Sequence, residues 1–454
     1  MAVSPTSSSC DSNSCCGVSL LGRAFGVSIS IPVLILSVAA LAVIPLGWQL
    51  GGMLFVGSEA MENENDENPL RDLVKAKSQT GFISPLKDQY EPQWWWSSQS
   101  GWVREQQEQE GAPSLWLGPW NGVTRSLVPE RGTISGVYTE LVEPARKFFD
   151  RDAGWNELAL YTLGGLWTLL VYALFGGAIS RIAVVQLGRG ERVSLTDSLR
   201  HSIRKLRSYF MAPLFVIIAS VLLALLIAVP SLLIRASGWG SVAVGVFWVI
   251  LLILAAAMAV LLIVLSFGWP LMWGAISAEE TGDVFEATSR SFSYTIQRPL
   301  KYACYVIVAL IIGGLGWWLV DLVTSQVVDL ALWSASWGGG FENVNALASE
   351  SATLTSSGAI GANIINFCND VVRYLVVAYT FSFFFAGFAA IYLLLRKDAD
   401  QTELDEVYMS SEEAQFELPQ LHEPAESEAS ASEEEAAGEE EPAGQEEDTG
   451  QEEA

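Results

Sequence analysis

The stretch ASGWGSVAVGVFWVILLILAAAMAVLLIVLSFGWPLMWGAISA, residues 236–278, decides the fold of this chain. It contains no Asp, Glu, Lys, Arg or His. A helix needs about 20 apolar residues to cross the hydrocarbon core of a bilayer, whose lipid tails cannot hydrogen-bond exposed backbone groups. Buried helices of a soluble protein would give shorter apolar runs interrupted by polar residues. The stretch therefore predicts helix inside a membrane.

Five further stretches lack charged residues over a comparable length. They are residues 24–58, 158–180, 209–234, 302–320 and 374–395. The composition agrees, because 51% of the residues are hydrophobic and 17% are charged, whereas a soluble domain carries about 25% charged residues. We therefore predict an all-α protein, a polytopic membrane helix bundle with six transmembrane helices.

Two of the stretches are longer than one span requires. In 236–278 the tripeptide Gly268-Trp269-Pro270 should break or kink a helix, since proline has no N–H to donate. We predict a span at 240–266 and an interfacial or re-entrant piece at 267–278, with two separate spans as the alternative. In 24–58 the proline and glycines from Pro45 onward predict a span at 25–47. This first span is too long for a signal peptide and indicates an uncleaved anchor.

The basic residues of the short loops predict the orientation, because Lys and Arg accumulate on the cytoplasmic side. Seven of them lie in 181–208, and none lies in 302–372. Both termini are therefore expected in the cytoplasm, at the cytoplasmic (inner) membrane of the cell. The predicted order is a disordered N-terminus (1–24), TM1 (25–47), an outer loop region (48–157), TM2 (158–180), a basic cytoplasmic segment (181–208), TM3 (209–234), TM4 (240–266), a cytoplasmic or interfacial segment (267–301), TM5 (302–320), a second outer loop (321–373), TM6 (374–395) and an acidic tail (396–454).

The outer loop region is rich in tryptophan. A candidate aromatic contact cluster consists of Trp94, Trp95, Trp96 and Trp102. Tryptophan can stack on sugars or cations, and it can equally anchor a small domain to lipid headgroups. Three cysteines, Cys10, Cys15 and Cys16, lie near the N-terminus without a histidine nearby, and zinc normally requires four ligands. We predict no metal and no cofactor.

The acidic tail accounts for most of the net charge of −26, because residues 398–454 hold 22 Asp and Glu and no Lys or Arg. The segment contains too few apolar residues to offset the entropy cost of ordering it, and we therefore expect it to be disordered. It predicts either a tether for a basic cytoplasmic protein or a solvating brush.

Two cytoplasmic segments resemble each other at an offset of 89 residues, which aligns Ser202 with Ser291. Each has apolar residues at helical spacing and precedes a span. They predict interfacial amphipathic helices within a duplicated unit, or alternatively short amphipathic beginnings of the following spans. Arginines beside the apolar stripe are candidates for contact with lipid phosphate. These are Arg200, Arg204, Arg207, Arg290 and Arg298.

The segment VFEATSRSF at 284–292, followed by QRPLKY at 297–302, resembles the membrane-domain relatives of glycerophosphoryl diester phosphodiesterase, uncharacterised multi-pass proteins that include planctomycete-type bacterial versions. The resemblance covers about half of the chain. It implies a membrane setting, but those phosphodiesterases carry catalysis in a separate soluble barrel that has no counterpart here. It therefore implies no catalytic residue.

The chemistry of the chain indicates a protein that is not an enzyme. It has two histidines and no H-E-x-x-H, G-x-S-x-G or P-loop pattern. We predict a non-catalytic integral membrane protein that organises protein partners or lipid. Anionic lipid of the inner leaflet is one expected partner, and nucleic acid is not expected to bind. The small residues of the spans would also allow a homo-oligomer. The alternative is a transporter or lipid-handling protein for an uncharged or lipid-like substrate, because the six runs contain no ionisable residue.

Overall fold

A computed structural model describes residues 13–55, 71, 74, 134–147, 154–236, 238–348 and 356–408. Every regular element in these ranges is helical. The Trp94, Trp95, Trp96 and Trp102 cluster and the tail beyond residue 408 lie outside the described residues, as do the side chains of the three N-terminal cysteines.

The helices follow one another along the chain with few irregular connections. They are α1 (Asn13–Ser28), α2 (Ile31–Phe55), α3 (Ile134–Lys147), α4 (Trp155–Val171), a π-helical turn (Tyr172–Gly176), α5 (Gly177–Gly188), α6 (Leu195–Arg204), α7 (Leu206–Ser231), α8 (Leu233–Ala236), α9 (Gly238–Val246), α10 (Trp248–Ala278), α11 (Val284–Gln297), α12 (Pro299–Gly339), α13 (Phe341–Ala348) and α14 (Ser356–Asp400).

Six helical segments are long and apolar enough to cross a membrane. They are Ile31–Phe55, Trp155–Gly188, Leu206–Arg235, Trp248–Ala278, Pro299–Gly339 and Ser357–Asp400. The prediction of an all-α protein is confirmed for the described residues, and the six apolar helices support the predicted multi-pass membrane protein.

The spans pack as three helix pairs, α2 with α4, α7 with α10, and α12 with α14. Helix α14 and the α4–α5 segment are the most buried, and α7, α10 and α12 keep broad apolar faces exposed. The centre is aromatic, since Tyr172 packs edge-on against Phe381 and Phe385 at centroid distances of 5.3 and 5.6 Å. Exposed apolar faces of this extent are expected where the surrounding solvent is lipid.

Residues 248–278 form one helix, which corrects the predicted division at Gly268-Trp269-Pro270. Pro270 cannot donate to the carbonyl of Ser266 four residues earlier. The hydroxyl of Tyr138 donates to that carbonyl at 2.6 Å instead. A partner from another helix thus satisfies the acceptor that the proline leaves free, and the helix continues.

The first span also differs from the prediction, because α2 continues past Pro45 to Phe55. Its glycines serve close packing. A Cβ atom on Gly47 would lie 2.0 Å from the Trp167 ring, and one on Gly164 of α4 would lie 2.7 Å from the Trp48 ring. The helix is interrupted earlier, between α1 and α2. Pro32 has no N–H to donate to the Ser28 carbonyl four residues before it. The hydroxyl of Ser382 donates to that carbonyl at 3.0 Å.

The second outer loop predicted at 321–373 is largely helical where it is described. Helix α12 continues to Gly339, and α14 already begins at Ser356. A small core holds these ends together around Val328, Leu332 and Val344, with Trp333 and Phe341 packed against it. Sequence reasoning ended TM5 at the first charge, Asp321, although a helix can continue beyond the lipid.

Both predicted cytoplasmic tails are partly ordered. Helix α1 begins at Asn13 inside the predicted disordered segment, because Leu20, Leu21 and Ala24 form a buried stripe. At the other end, α14 reaches Asp400, and residues 401–408, which we call the C-terminal strap, fold back onto the bundle. Val407 of the strap is buried, and the backbone N–H of Tyr408 donates to the Ala278 carbonyl at 3.1 Å.

Helix α3 packs against the bundle and lies within residues 48–157, which were predicted as an outer loop region. The hydroxyl of Tyr172 donates to the Val137 carbonyl at 3.1 Å, and that of Tyr161 donates to Glu143 at 3.4 Å. Residue numbers rise along α3 as they fall along α4, so the helices are antiparallel. Fourteen residues make about 21 Å of helix, less than the roughly 30 Å hydrocarbon core. Helix α3 is therefore too short to cross a bilayer by itself and packs beside α4 and α14.

Candidate functional site

The helices α6 and α11, which we call the connectors, lie at one end of the bundle with the strap. Lys205 after α6 donates to the carbonyls of Glu279, Glu280 and Thr281 before α11, at 2.9 to 3.2 Å. Arg189 donates to the carbonyl of Val407 in the strap at 3.4 Å. We call this end the connector face.

The two connectors are built alike at the 89-residue offset. Ser194 caps α6 by accepting from the N–H of Asp197, and Asp283 caps α11 by accepting from the N–H of Glu286. Each connector is separated from the following span, by Lys205 and by Arg298. They are therefore independent helices and not the beginnings of α7 and α12, which supports the duplicated unit.

A buried serine of each connector binds backbone carbonyls of the preceding span. Ser202 donates to the carbonyls of Ala173 and Leu174 in the π-helical turn, at 3.0 and 2.6 Å. Ser291 donates to the carbonyl of Gly268. A π-turn leaves helical carbonyls without their usual partner, and Ser202 supplies a donor there. Gly268 lies two residues before Pro270, whose own free acceptor, the Ser266 carbonyl, is bound by Tyr138. Both serines fix their connector against the preceding span.

The connectors place polar residues against the protein and apolar residues outward. Ser198, His201 and Ser202 of α6 are buried, whereas Ile203 is 57% exposed. On α11 the exposed apolar residues are Phe285 and Ile296, at 67% and 57%. A helix bathed in water would show the opposite arrangement. This pattern fits helices that lie in the membrane interface.

Four of the five predicted lipid-contact arginines lie on this outward surface. Arg200, Arg204, Arg207 and Arg298 are all exposed. On α6, residues 200, 203 and 204 share one face, since they are three or four positions apart, and Arg207 follows in the first turn of α7. The structure therefore brings basic and apolar side chains together on the surface of the connectors.

Arg290 differs from the prediction because its guanidinium faces protein carboxylates. It lies 3.3 Å from Glu279, 3.1 Å from Glu286 and 3.3 Å from Asp400. Glu279 is nearly buried and also binds Arg396 at 3.0 Å and the Tyr392 hydroxyl at 2.8 Å. We call these residues the ionic cluster. It joins the end of α10 to α11 and α14, so the role of Arg290 is to hold these helices together.

The one histidine in the described residues, His201, is buried on the inner side of α6. Burial, and to a smaller extent the nearby cations Arg181, Lys205 and Arg204, together lower its pKa to about 3. An imidazole that stays neutral near pH 7 is a weak candidate for acid–base work. His201 is therefore a packing residue of the connector.

Helix α3 brings carboxylates beside the spans, and the sequence analysis missed this. Glu143 contacts Tyr161, and Glu140 lies one turn deeper on α3 and is half-buried. Tyr138 stacks on Trp269 of α10 at 5.7 Å. The available signal was the pair Val137 and Tyr138 followed by Leu141 and Val142, a helical apolar pattern that the two glutamates interrupt.

Within the described ranges, no group of three or more His, Cys, Asp or Glu side chains is placed to hold a metal ion. Comparison with protein families, with curated proteins and with solved structures gives no match for this chain. The resemblance to phosphodiesterase membrane domains accordingly stays a prediction.

Proposed function

We propose that this protein is a non-catalytic, multi-pass protein of the cytoplasmic membrane, with both termini in the cytoplasm, that binds and organises anionic lipid at its connector face. The acidic tail beyond the strap is proposed to recruit a basic cytoplasmic protein to the same face. Protein and lipid would thereby be brought together at one end of the bundle.

The observation that carries the proposal is the outward surface of the connectors. Exposed Arg200 and Arg204 share one face of α6 with exposed Ile203, and exposed Arg207 follows in the first turn of α7. Apolar side chains favour the acyl boundary, while each basic residue near an anionic surface contributes about 1 kcal/mol of attraction. The seven basic residues of 181–208 also favour a cytoplasmic position for this end.

The test measures lipid selectivity in nanodiscs of phosphatidylcholine with phosphatidylglycerol. Native mass spectrometry after extraction counts the anionic lipids that each chain retains. Replacing Arg200, Arg204 and Arg207 with glutamine should lower the enrichment of phosphatidylglycerol several-fold. The control is Arg235→Gln, an exposed arginine in α8 at the other end of its hairpin. Equal enrichment in the triple variant and the control would contradict the proposal.

A second candidate function is lipid or solute passage, favoured by the carboxylates that α3 carries beside the spans. Ionisable residues at membrane depth are costly and commonly mark pathways. Proteoliposomes with a fluorescent phospholipid should then show scrambling that falls in the double variant Glu140→Gln, Glu143→Gln. An absence of scrambling by the native protein would reject this candidate and leave the first proposal standing.

A further inference from the structure

We infer that one anionic phospholipid binds at a defined site between α12 and α14, with an acyl chain in an apolar crevice and its phosphate at Arg298. The inference rests on the proposed function and names one specific place within it. A phospholipid is the occupant because the two ends of the site differ in chemistry, one apolar and one basic.

The crevice is lined by apolar residues of two helices. Val306 and Leu310 come from α12, and Phe384, Gly387, Phe388 and Ile391 come from α14. Leu310 is 48% exposed, whereas Phe384 is buried, so the crevice extends from the surface toward the centre. Helix α10 packs on α7, α11 and α14, and Phe384 contacts Trp269 of α10 at 5.4 Å. The floor of the crevice is therefore held by aromatic packing.

Gly387 keeps the crevice open. A Cβ atom added there would meet the nearest neighbour, the Phe383 ring, at an ordinary 3.5 Å. The backbone at this position is helical and needs no glycine. A methyl group would therefore fit without a clash, and its absence leaves room beside Phe383 that a lipid methylene group can occupy.

The basic end lies at the correct depth for a headgroup. Arg298 is exposed and immediately precedes α12, and Val306 lies eight residues further along. Eight residues of helix rise about 12 Å. One leaflet contributes about 15 Å of hydrocarbon plus several ångströms of headgroup. A phosphate at Arg298 therefore places the acyl chain of the same lipid at the level of Val306 and Leu310.

The neighbouring basic residue is already paired, which distinguishes Arg298. Lys301 lies 3.1 Å from Asp398 of α14, and the hydroxyl of Tyr305 donates to the same carboxylate at 2.9 Å. The Asp398 side chain is largely shielded from solvent, so this pair fixes the first turn of α12 against α14. The exposed charge beside the apolar residues Ile296 and Leu300 is that of Arg298.

The experiment uses the full chain in nanodiscs that contain phosphatidylglycerol with a photoreactive diazirine in its acyl chain. After illumination, adducts are mapped by peptide mass spectrometry, and the affinity is obtained by titration with the unlabelled lipid. We expect adducts in 306–310 and 383–391, and one tightly held lipid per chain. Arg298→Gln and Gly387→Leu should each weaken binding at least tenfold, and millimolar inorganic phosphate should not displace the lipid.

Two matched variants serve as controls. Gly314→Leu makes the same substitution on α12 at an exposed glycine with open space around it, and Arg235→Gln removes an exposed arginine elsewhere. Equal affinity in Gly387→Leu and Gly314→Leu would overturn the inference, as would adducts outside the two segments or displacement by phosphate alone. If general phosphatidylglycerol enrichment persists without a tightly held lipid, the inference fails and the proposed function stands. If both are absent, both fail.

Discussion

Replacing Glu279 with glutamine should destabilise the connector face strongly. Its carboxylate lies 3.0 Å from the Arg396 guanidinium and 3.3 Å from that of Arg290. Glutamine keeps the shape and one acceptor oxygen but removes the charge. Arg290 retains Glu286 and Asp400, whereas Arg396, which is 8% exposed, loses its carboxylate partner.

The expected cost follows from the burial of Arg396. Removing one partner of a buried ion pair costs about 3 to 5 kcal/mol, because a desolvated charge is left uncompensated. We expect about 3 kcal/mol, the lower end, since Arg396 also donates to the Glu406 carbonyl at 2.7 Å. That change lowers the folding equilibrium constant more than 100-fold.

The assay is equilibrium unfolding in mixed micelles, titrated with denaturing detergent and followed by tryptophan fluorescence and circular dichroism. The matched control is Glu280→Gln, an adjacent exposed carboxylate, which should change stability by less than about 0.5 kcal/mol. Adding Arg396→Met to Glu279→Gln should restore most of the loss, because no buried charge then lacks a partner. Equal stability of Glu279→Gln and Glu280→Gln would refute the assignment of the ionic cluster.

Three further predictions concern the connectors and α3. The folded-state pKa of His201 is lowered to about 3, so between pH 6.5 and 3 the unfolded chain binds the extra proton and stability falls as the pH falls. At pH 5 the free energy of unfolding should be lower by about 2 kcal/mol than at neutral pH. His201→Gln should remove this part of the pH dependence, and an identical dependence of unfolding free energy on pH in the native protein and the variant would contradict the prediction. Ser202→Ala and Ser291→Ala should each cost about 1 to 3 kcal/mol in the same unfolding assay, since buried carbonyls lose a donor, and a neutral result in either would weaken the duplicated unit. In a cysteine-free background, Val137→Cys should resist a membrane-impermeant maleimide while Lys147→Cys reacts. Equal labelling of the two positions would indicate that α3 is part of an exposed outer loop.

The six spans could be predicted because their apolar runs carry the information locally. A long apolar segment without charged residues, such as 236–278, is stable only in lipid or in a protein core. What failed was the reading of Pro45 and Pro270 as helix ends. Tyr138 satisfies the acceptor that Pro270 leaves free, and no pattern near residue 270 indicates a partner that is more than 120 residues away.

The ionic cluster and α3 could not be found from the sequence for related reasons. Glu279 and Arg396 come together through tertiary packing, and each looks like an ordinary charge at the end of a span. Helix α3 is short and contains Glu140 and Glu143, so its mean hydropathy hides its position beside α4. The connectors were predictable in part, because the alignment of Ser202 with Ser291 was visible, although the carbonyls they bind were not.

The depth of the connectors in a bilayer decides whether the connector face binds lipid. Spin labels at Ile203 and Ile296, in full-length protein with its cysteines replaced and reconstituted in phosphatidylcholine and phosphatidylglycerol vesicles, report collision with oxygen relative to a water-soluble nickel chelate. The reference is a label at the exposed Glu280. We expect oxygen-rich, interfacial positions for both isoleucines and a water-accessible position for Glu280. Equal nickel accessibility at all three would show connectors surrounded by water and would contradict a lipid-binding connector face.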